Sequence, residues 1–135
     1  MDGLDVHLQE QERFEEIMEK IGPYLHHKNI MQGEILVKEG REHDSVIFVL
    51  WGSISVFITD SENRQQRLTS FRPGRIIAPG AAFAPWKSTY TAKAEHQAMV
   101  AMISSKDVER MESEAPERAL VMYRYMTQIL VKAER

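Results

Sequence analysis

The apolar positions of this chain change their period twice. From Leu8 to Ile21, Phe14, Ile17, Met18 and Ile21 recur at helical spacing, Glu16 and Lys20 can pair one turn apart, and Gly22-Pro23 supplies a stop, so a helix is predicted there. From Tyr24 to about Ser104 the pattern breaks into short segments. Ile30, Ile35 to Val37, Val46 to Leu50, Ile54 to Ile58, Arg67 to Phe71, Tyr90 to Ala94 and Ala98 to Ile103 are the candidate strands. Gly33, Gly40, Gly52, Asp60 to Asn63 and Pro73-Gly74 punctuate them. Ile54, Val56 and Ile58 alternate with Ser53, Ser55 and Phe57, as a strand with one buried face requires. Short strands at this spacing, with no helix between them, predict an antiparallel roll or barrel.

After Ile103 the helical period returns. Ser104 or Ser105 can cap a short helix through Met111, and Pro116 suits the first turn of a longer one to about Ala133. That last helix carries two apolar stripes. Ala119, Met122, Met126, Ile129 and Ala133 form one; Leu120, Tyr123, Thr127 and Leu130 form the other. One stripe suffices to pack a helix on its own domain, which leaves the second for a partner helix, as in a homodimer, or for cover within the fold. A chain of 135 residues is long enough for one domain with a real core. The expected division is an N-terminal helix over 1–22, a β-roll over 23–104 and C-terminal helices over 105–135.

Composition narrows the function classes. Hydrophobic and charged contents of 43% and 27% fit a globular domain, and a net charge of −3 gives no basic face for nucleic acid. The absence of cysteine removes disulfide and thiolate chemistry and fits a reducing compartment. The run Val46 to Trp51 is too short to cross a bilayer and nothing near Met1 resembles a signal peptide, so a cytoplasmic location without membrane insertion is expected. A cupin-type metal enzyme would need histidines at ligand spacing inside a barrel. Here His26 and His27 are adjacent and point to opposite faces of a strand. His43 is placed in a turn, His96 in a hairpin and His7 at a helix start. No metal site, nucleophile elbow or acid–base pair emerges, and no catalysis is expected.

The corner residues carry a resemblance. "MQGEILVKEGREHDSVIFVLWGSISVFI" holds Gly33 followed by Glu34, then Gly40, Asp44 and Gly52; "LTSFRPGRII" holds a strand ending at Pro73-Gly74; "MESEAPE" leads with acid and proline into the last helix. In this order the chain resembles the cyclic-nucleotide-binding domain of the catabolite activator, of gated channels and of kinase regulatory subunits, from about Ile21 onward. The resemblance implies a mainly β fold, an antiparallel β-roll or jelly roll of about eight strands, with an N-terminal helix and two C-terminal helices. Gly33, Gly40, Asp44, Gly52 and Gly74 would be its structural corners. A looser likeness, in "RLTSFRPG" and "VERMESEAPE", is to the version appended to bacterial sulfate-permease-type carriers, which implies association with a membrane transporter or signalling protein. A generic roll with coincidental corners is the alternative. A DNA-reading helix-turn-helix, which the catabolite activator joins to this domain, would need on the order of 60 further residues after the last helix, so none is expected here.

In that family a cyclic phosphate is held by backbone N–H groups at a short helix and by a bidentate arginine, and the ribose hydroxyl by a glutamate. A gapless count sets "GRIIAPGAAFAPWKSTYTAKA" on this cassette, with Ala78 at the family's glycine, Pro79 at its glutamate and Ser88 at its arginine. Both charged ligands are missing. Two lost charge-assisted hydrogen bonds weaken binding by roughly two to four orders of magnitude. Pro79 still suits the start of a short helix, Gly80 to Phe83, leaving the Ala81 and Ala82 amides as candidate donors. Lys87 is either a weak substitute cation or a solvated loop residue; Ser88 and Thr89 either offer hydroxyls to an anion or satisfy a turn. Trp86 covers a pocket mouth or caps the core. Tyr123 and Tyr125 stack on a base, as the family's last helix allows, or simply pack. The candidate pocket is therefore Ile77, Ala78, Pro79, Gly80, Ala81, Ala82, Lys87, Ser88, Thr89 and Tyr123. Two readings follow: a sensor whose effector is a cyclic nucleotide or another small anion, or an interaction module with a vestigial pocket.

Overall fold

A computed structural model describes the backbone of residues 3–133 and the side chains of residues 9–132. The chain divides into two compact units, a β-roll over residues 26–105 and a helical unit formed by residues up to 25 with those from 106 onward. Ten strands make up the roll: β1 (His26–Ile30), β2 (Ile35–Val37), β3 (Glu42–His43), β4 (Ser45–Trp51), β5 (Ile54–Thr59), β6 (Gln65–Phe71), β7 (Ile76–Ile77), β8 (Trp86–Lys87), β9 (Thr91–Ala94) and β10 (Ala98–Ser104). They form one sheet in the order β1-β10-β4-β7, a second in the order β2-β9-β5-β6, and a two-stranded ribbon β3-β8. Every pair is antiparallel.

The core follows from the apolar runs. Val46, Ile47, Phe48 and Val49 of β4 are all buried, a strand covered on both faces. Ile30, Val37, Ile54, Val56, Ile77, Val100 and Ile103 complete the interior. In the turn between β4 and β5 Gly52 has φ +80°, and a Cβ there would lie 2.8 Å from the Cβ of Ala98 at the start of β10, so only glycine fits. Between β3 and β4 the Asp44 carbonyl accepts the Ser105 amide at 2.9 Å.

In the helical unit, α1 (Gly3–Ile21) runs through a 3-10 turn (Gly22–Tyr24), and α2 (Ser105–Glu114) is followed by α3 (Pro116–Ala133). Phe14, Ile17 and Ile21 are buried, and the Phe14 ring lies 6.1 Å from that of Tyr125. Arg118 Nη1 donates to the Lys20 carbonyl at 3.0 Å near the end of α1, and the Tyr24 hydroxyl donates to Glu114 at 2.9 Å. The two stripes of α3 part company. Ala119, Met122 and Met126 are buried, whereas Leu120 and Leu130 are exposed; the side chain of Ala133 lies outside the described residues, as do that of His7 and all of Met1, Asp2, Glu134 and Arg135.

The antiparallel roll with its N-terminal helix and two C-terminal helices is the expected fold, its strands numbering ten once β3, β7 and β8 are counted, two-residue pairings with no period to betray them. Several expectations need correction. His43 sits in β3 opposite Trp86, not in a turn. Tyr90 precedes β9, β1 begins at His26, and α1 starts five residues before Leu8. α2 continues to Glu114, past Met111. β5 does not keep one open face: Ser55 is 1% exposed, roofed by the Arg67 side chain, whose Nη2 reaches its hydroxyl at 3.3 Å.

Candidate ligand-binding cassette

Phe71 ends β6, and the turn through Pro73-Gly74 is tied to β4. The Gly74 amide donates to the Val49 carbonyl at 3.1 Å and the Val49 amide to Arg75 at 3.2 Å. β7 then pairs Ile76 and Ile77 with Phe48 and Ile47, which delivers the chain to Ala78. Ala78 is fully buried with φ 57° and ψ 50°, a left-handed conformation that costs a non-glycine residue about 1–2 kcal/mol. A glycine is what this backbone calls for.

One tight 3-10 turn follows, Pro79–Ala82, a residue earlier than the Gly80 to Phe83 expected, with proline supplying its fixed φ at the start. Its amides look inward. The Ala81 amide donates to the Ala78 carbonyl at 3.1 Å and the Phe83 amide to Gly80 at 3.2 Å, so the Ala81 amide, expected from the sequence to be a free donor, is engaged within the turn. The Ala78 amide donates to the Tyr90 hydroxyl at 3.2 Å. Burial raises the pKa of that hydroxyl, which keeps it neutral.

Aromatic rings fill the space beside the turn. A Cβ on Gly80 would lie 3.3 Å from Cδ1 of Trp86, the Trp86 ring is 5.5 Å from Tyr90, and Phe71 meets Tyr90 edge-on at 6.1 Å. The return limb is equally committed. Ser88 is buried; its amide donates to Arg41 at 2.9 Å and its carbonyl accepts from Gly40 at 2.8 Å. Its hydroxyl donates to the Tyr90 carbonyl and accepts the Tyr90 amide. Of the two uses open to Ser88, the turn has it. Lys87 is exposed on β8 opposite Glu42, and Thr89 is exposed beside it. From Ile76 to Tyr90, Lys87 is the one charged side chain.

The family model described as the cyclic nucleotide-binding domain matches residues 27–114, which span the roll, this cassette and α2. The chain belongs to that family. Similar solved structures include a cyclic nucleotide-binding domain from Methylobacillus flagellatus, with a TM-score of 0.78 at 17% identity over 93% of this chain and 80% of that one. The N-terminal domain of a transcriptional regulator from Streptomyces coelicolor aligns with a TM-score of 0.74 at 21% identity, over 87% and 84%. The Thermus thermophilus catabolite activator protein aligns at 0.71 and 16%, over 88% of this chain and 56% of its own. At these identities the likeness speaks for the fold alone. No curated protein sequence matches significantly.

Within this cyclic nucleotide-binding domain the roll brings together Ile77, Ala78, Pro79, Gly80, Ala81, Ala82, Ser88 and Thr89, with Lys87 on the adjoining ribbon. Tyr123 is carried by α3 of the helical unit, where burial and then the nearby Glu112 charge raise its pKa. The candidate pocket read from the sequence omits Tyr90 and Phe71; Trp86, read there as covering a pocket mouth or capping the core, packs against Tyr90. From the sequence Tyr90 reads as the first residue of a strand, which gives no sign of its hydroxyl reaching the Ala78 amide. Among the described residues, no three His, Asp or Glu side chains assemble into a metal site.

Proposed function

We propose that this chain is a regulatory domain of its family whose cassette holds cAMP or cGMP weakly or not at all. The observation that carries this is Ser88. The position the family resemblance assigns to a phosphate-binding arginine is buried and its hydroxyl is committed to Tyr90, and Lys87 is the one charged side chain between Ile76 and Tyr90. Pro79 offers neither an acceptor side chain nor an amide. A small anionic effector other than a purine cyclic nucleotide remains compatible with Lys87 and Thr89. We assign no catalytic step to the site and place the domain in the cytoplasm, in keeping with a cysteine-free, acidic chain.

Calorimetric titration and thermal melts with cAMP and cGMP test the reading. At millimolar nucleotide the melting temperature rises by no more than about 1 °C; a shift of many degrees, the mass-action result of tight binding, overturns it. A second reading rests on α3. Leu120, Leu130 and Val131 are 54%, 46% and 45% exposed, which suits a dimer contact between copies of the chain. A membrane transporter or signalling protein as the output partner is a further proposal, tested by reading the neighbouring coding sequence.

A further inference from the structure

The outer edge of β6 is open. In its sheet β6 pairs with β5 alone, and residues 65–69 are exposed, Leu68 to 58%. Beside that edge lies a depression of about 640 Å³ lined by Arg67, Leu68, Thr69, Ser70, Arg72 and Arg75. Three guanidinium groups and no carboxylate line it, on a chain whose net charge is −3. Arg67 is partly committed, with Nη2 at 2.7 Å from the Ser70 hydroxyl and 3.5 Å from Glu95. Among the described residues, no carboxylate pairs with Arg72 or Arg75.

Exposed strand edges are ordinarily guarded by charge against pairing with other chains. Here the guard has one sign. It repels basic strands, offers neutral ones no compensation for desolvating the arginines, and rewards an acidic one, because planar guanidinium groups take carboxylates in two-bonded geometry. The unpaired main chain of β6 supplies the rest of a strand-addition site, and exposed Leu68 offers an apolar contact midway. We infer that this edge docks an extended acidic peptide segment of a partner protein, its main chain pairing with β6 and its carboxylates meeting Arg72 and Arg75. The site shares Arg75 with the start of the cassette segment but none of the candidate pocket residues from Ile77 to Thr89, and the inference does not rest on whether a nucleotide binds there.

The test uses the full chain and a fluorescein-labelled peptide of alternating glutamate and valine, followed by anisotropy at low salt. Binding is saturable and weakens about tenfold or more in Arg72→Gln/Arg75→Gln, whose exposed positions leave the melting temperature unchanged. The same peptide N-methylated on alternate backbone nitrogens loses binding, because it cannot pair with a strand edge. No saturable binding, equal binding by the arginine variant, or equal binding of the N-methylated peptide overturns the inference. Inorganic pyrophosphate is the remaining arm: micromolar affinity for it, lost with the arginines, would make this a small-anion site and overturn strand docking as well.

Discussion

The Tyr90 hydroxyl accepts the Ala78 amide at 3.2 Å, so a side chain from the far limb of the cassette closes the turn that opens it. Removing the hydroxyl leaves a buried N–H with no acceptor, which costs about 1–3 kcal/mol. Tyr90→Phe, which keeps the ring contacts with Trp86 and Phe71, therefore melts several degrees lower by circular dichroism. An unchanged melting temperature would show that the bond contributes nothing.

Ala78 separates backbone strain from burial. Glycine relieves about 1–2 kcal/mol of left-handed strain, but it forfeits roughly 0.8 kcal/mol for the buried methyl and about 0.5–1 kcal/mol through a freer unfolded chain. Ala78→Gly is thus within about 1 kcal/mol of wild type, while Ala78→Val, β-branched in a buried left-handed site, loses more than about 2 kcal/mol. Denaturant titration of the two variants reads the difference directly.

The legible parts of this fold are those with a period or a steric stop. α3 begins at Pro116 and ends at Ala133 because proline fits a first turn and the apolar spacing runs unbroken. The two-residue strands β3, β7 and β8 left no trace, since pairing over so few residues is decided by what the rest of the roll brings alongside. Ser55 looked like a solvent-facing serine, and its burial under Arg67 depends on a neighbour twelve residues away. In the cassette, the family resemblance sets Pro79 and Ser88 at the positions of the family's glutamate and arginine, a reading made from the sequence alone. The self-closure by Tyr90 was not, because a hydroxyl reaching back across the loop to a main-chain amide has no local signature.

Placing a glutamate and an arginine at positions 79 and 88 is expected not to create a nucleotide site. Ser88 is 3% exposed, with its hydroxyl turned onto Tyr90, so an arginine there must either bury a charge or break the return limb. Pro79→Glu/Ser88→Arg is expected to lose more than about 2 kcal/mol of stability and to gain no calorimetric signal with cAMP. A stable variant that binds cAMP at micromolar concentration would show that the roll still holds a nucleotide-shaped space.

The β5–β6 turn responds to acid. Asp60 Oδ1 accepts the Arg64 and Glu62 amides, both at 2.9 Å, and Oδ2 accepts Gln66 at 3.0 Å; bonding to the Arg64 amide, then Gln66, lowers its pKa. A carboxyl depressed in the folded state binds its proton first in the unfolded chain as pH falls. Its stabilisation is complete above the ordinary carboxylate value of about 3.9 and fades as pH drops through that value toward the folded one. Asp60→Asn accordingly flattens the acid limb of melting temperature against pH, and identical limbs would exclude Asp60 as a contributor.

On α3, Leu120 and Leu130 lie on one stripe, exposed, while Ala119, Met122 and Met126 on the other are buried. The helix has thus met its own packing requirement with one face, and the second face keeps apolar side chains in water at a cost that a partner copy would remove. Glutamate at an exposed helical site changes monomer stability by under about 0.5 kcal/mol, so Leu120→Glu/Leu130→Glu isolates association from folding. The wild-type chain is expected to sediment as a concentration-dependent dimer and the variant as a monomer with the same dilute-solution melting temperature. A wild-type chain monomeric at every concentration would leave the exposed leucines without this role, and a variant that unfolds would place them in the core instead.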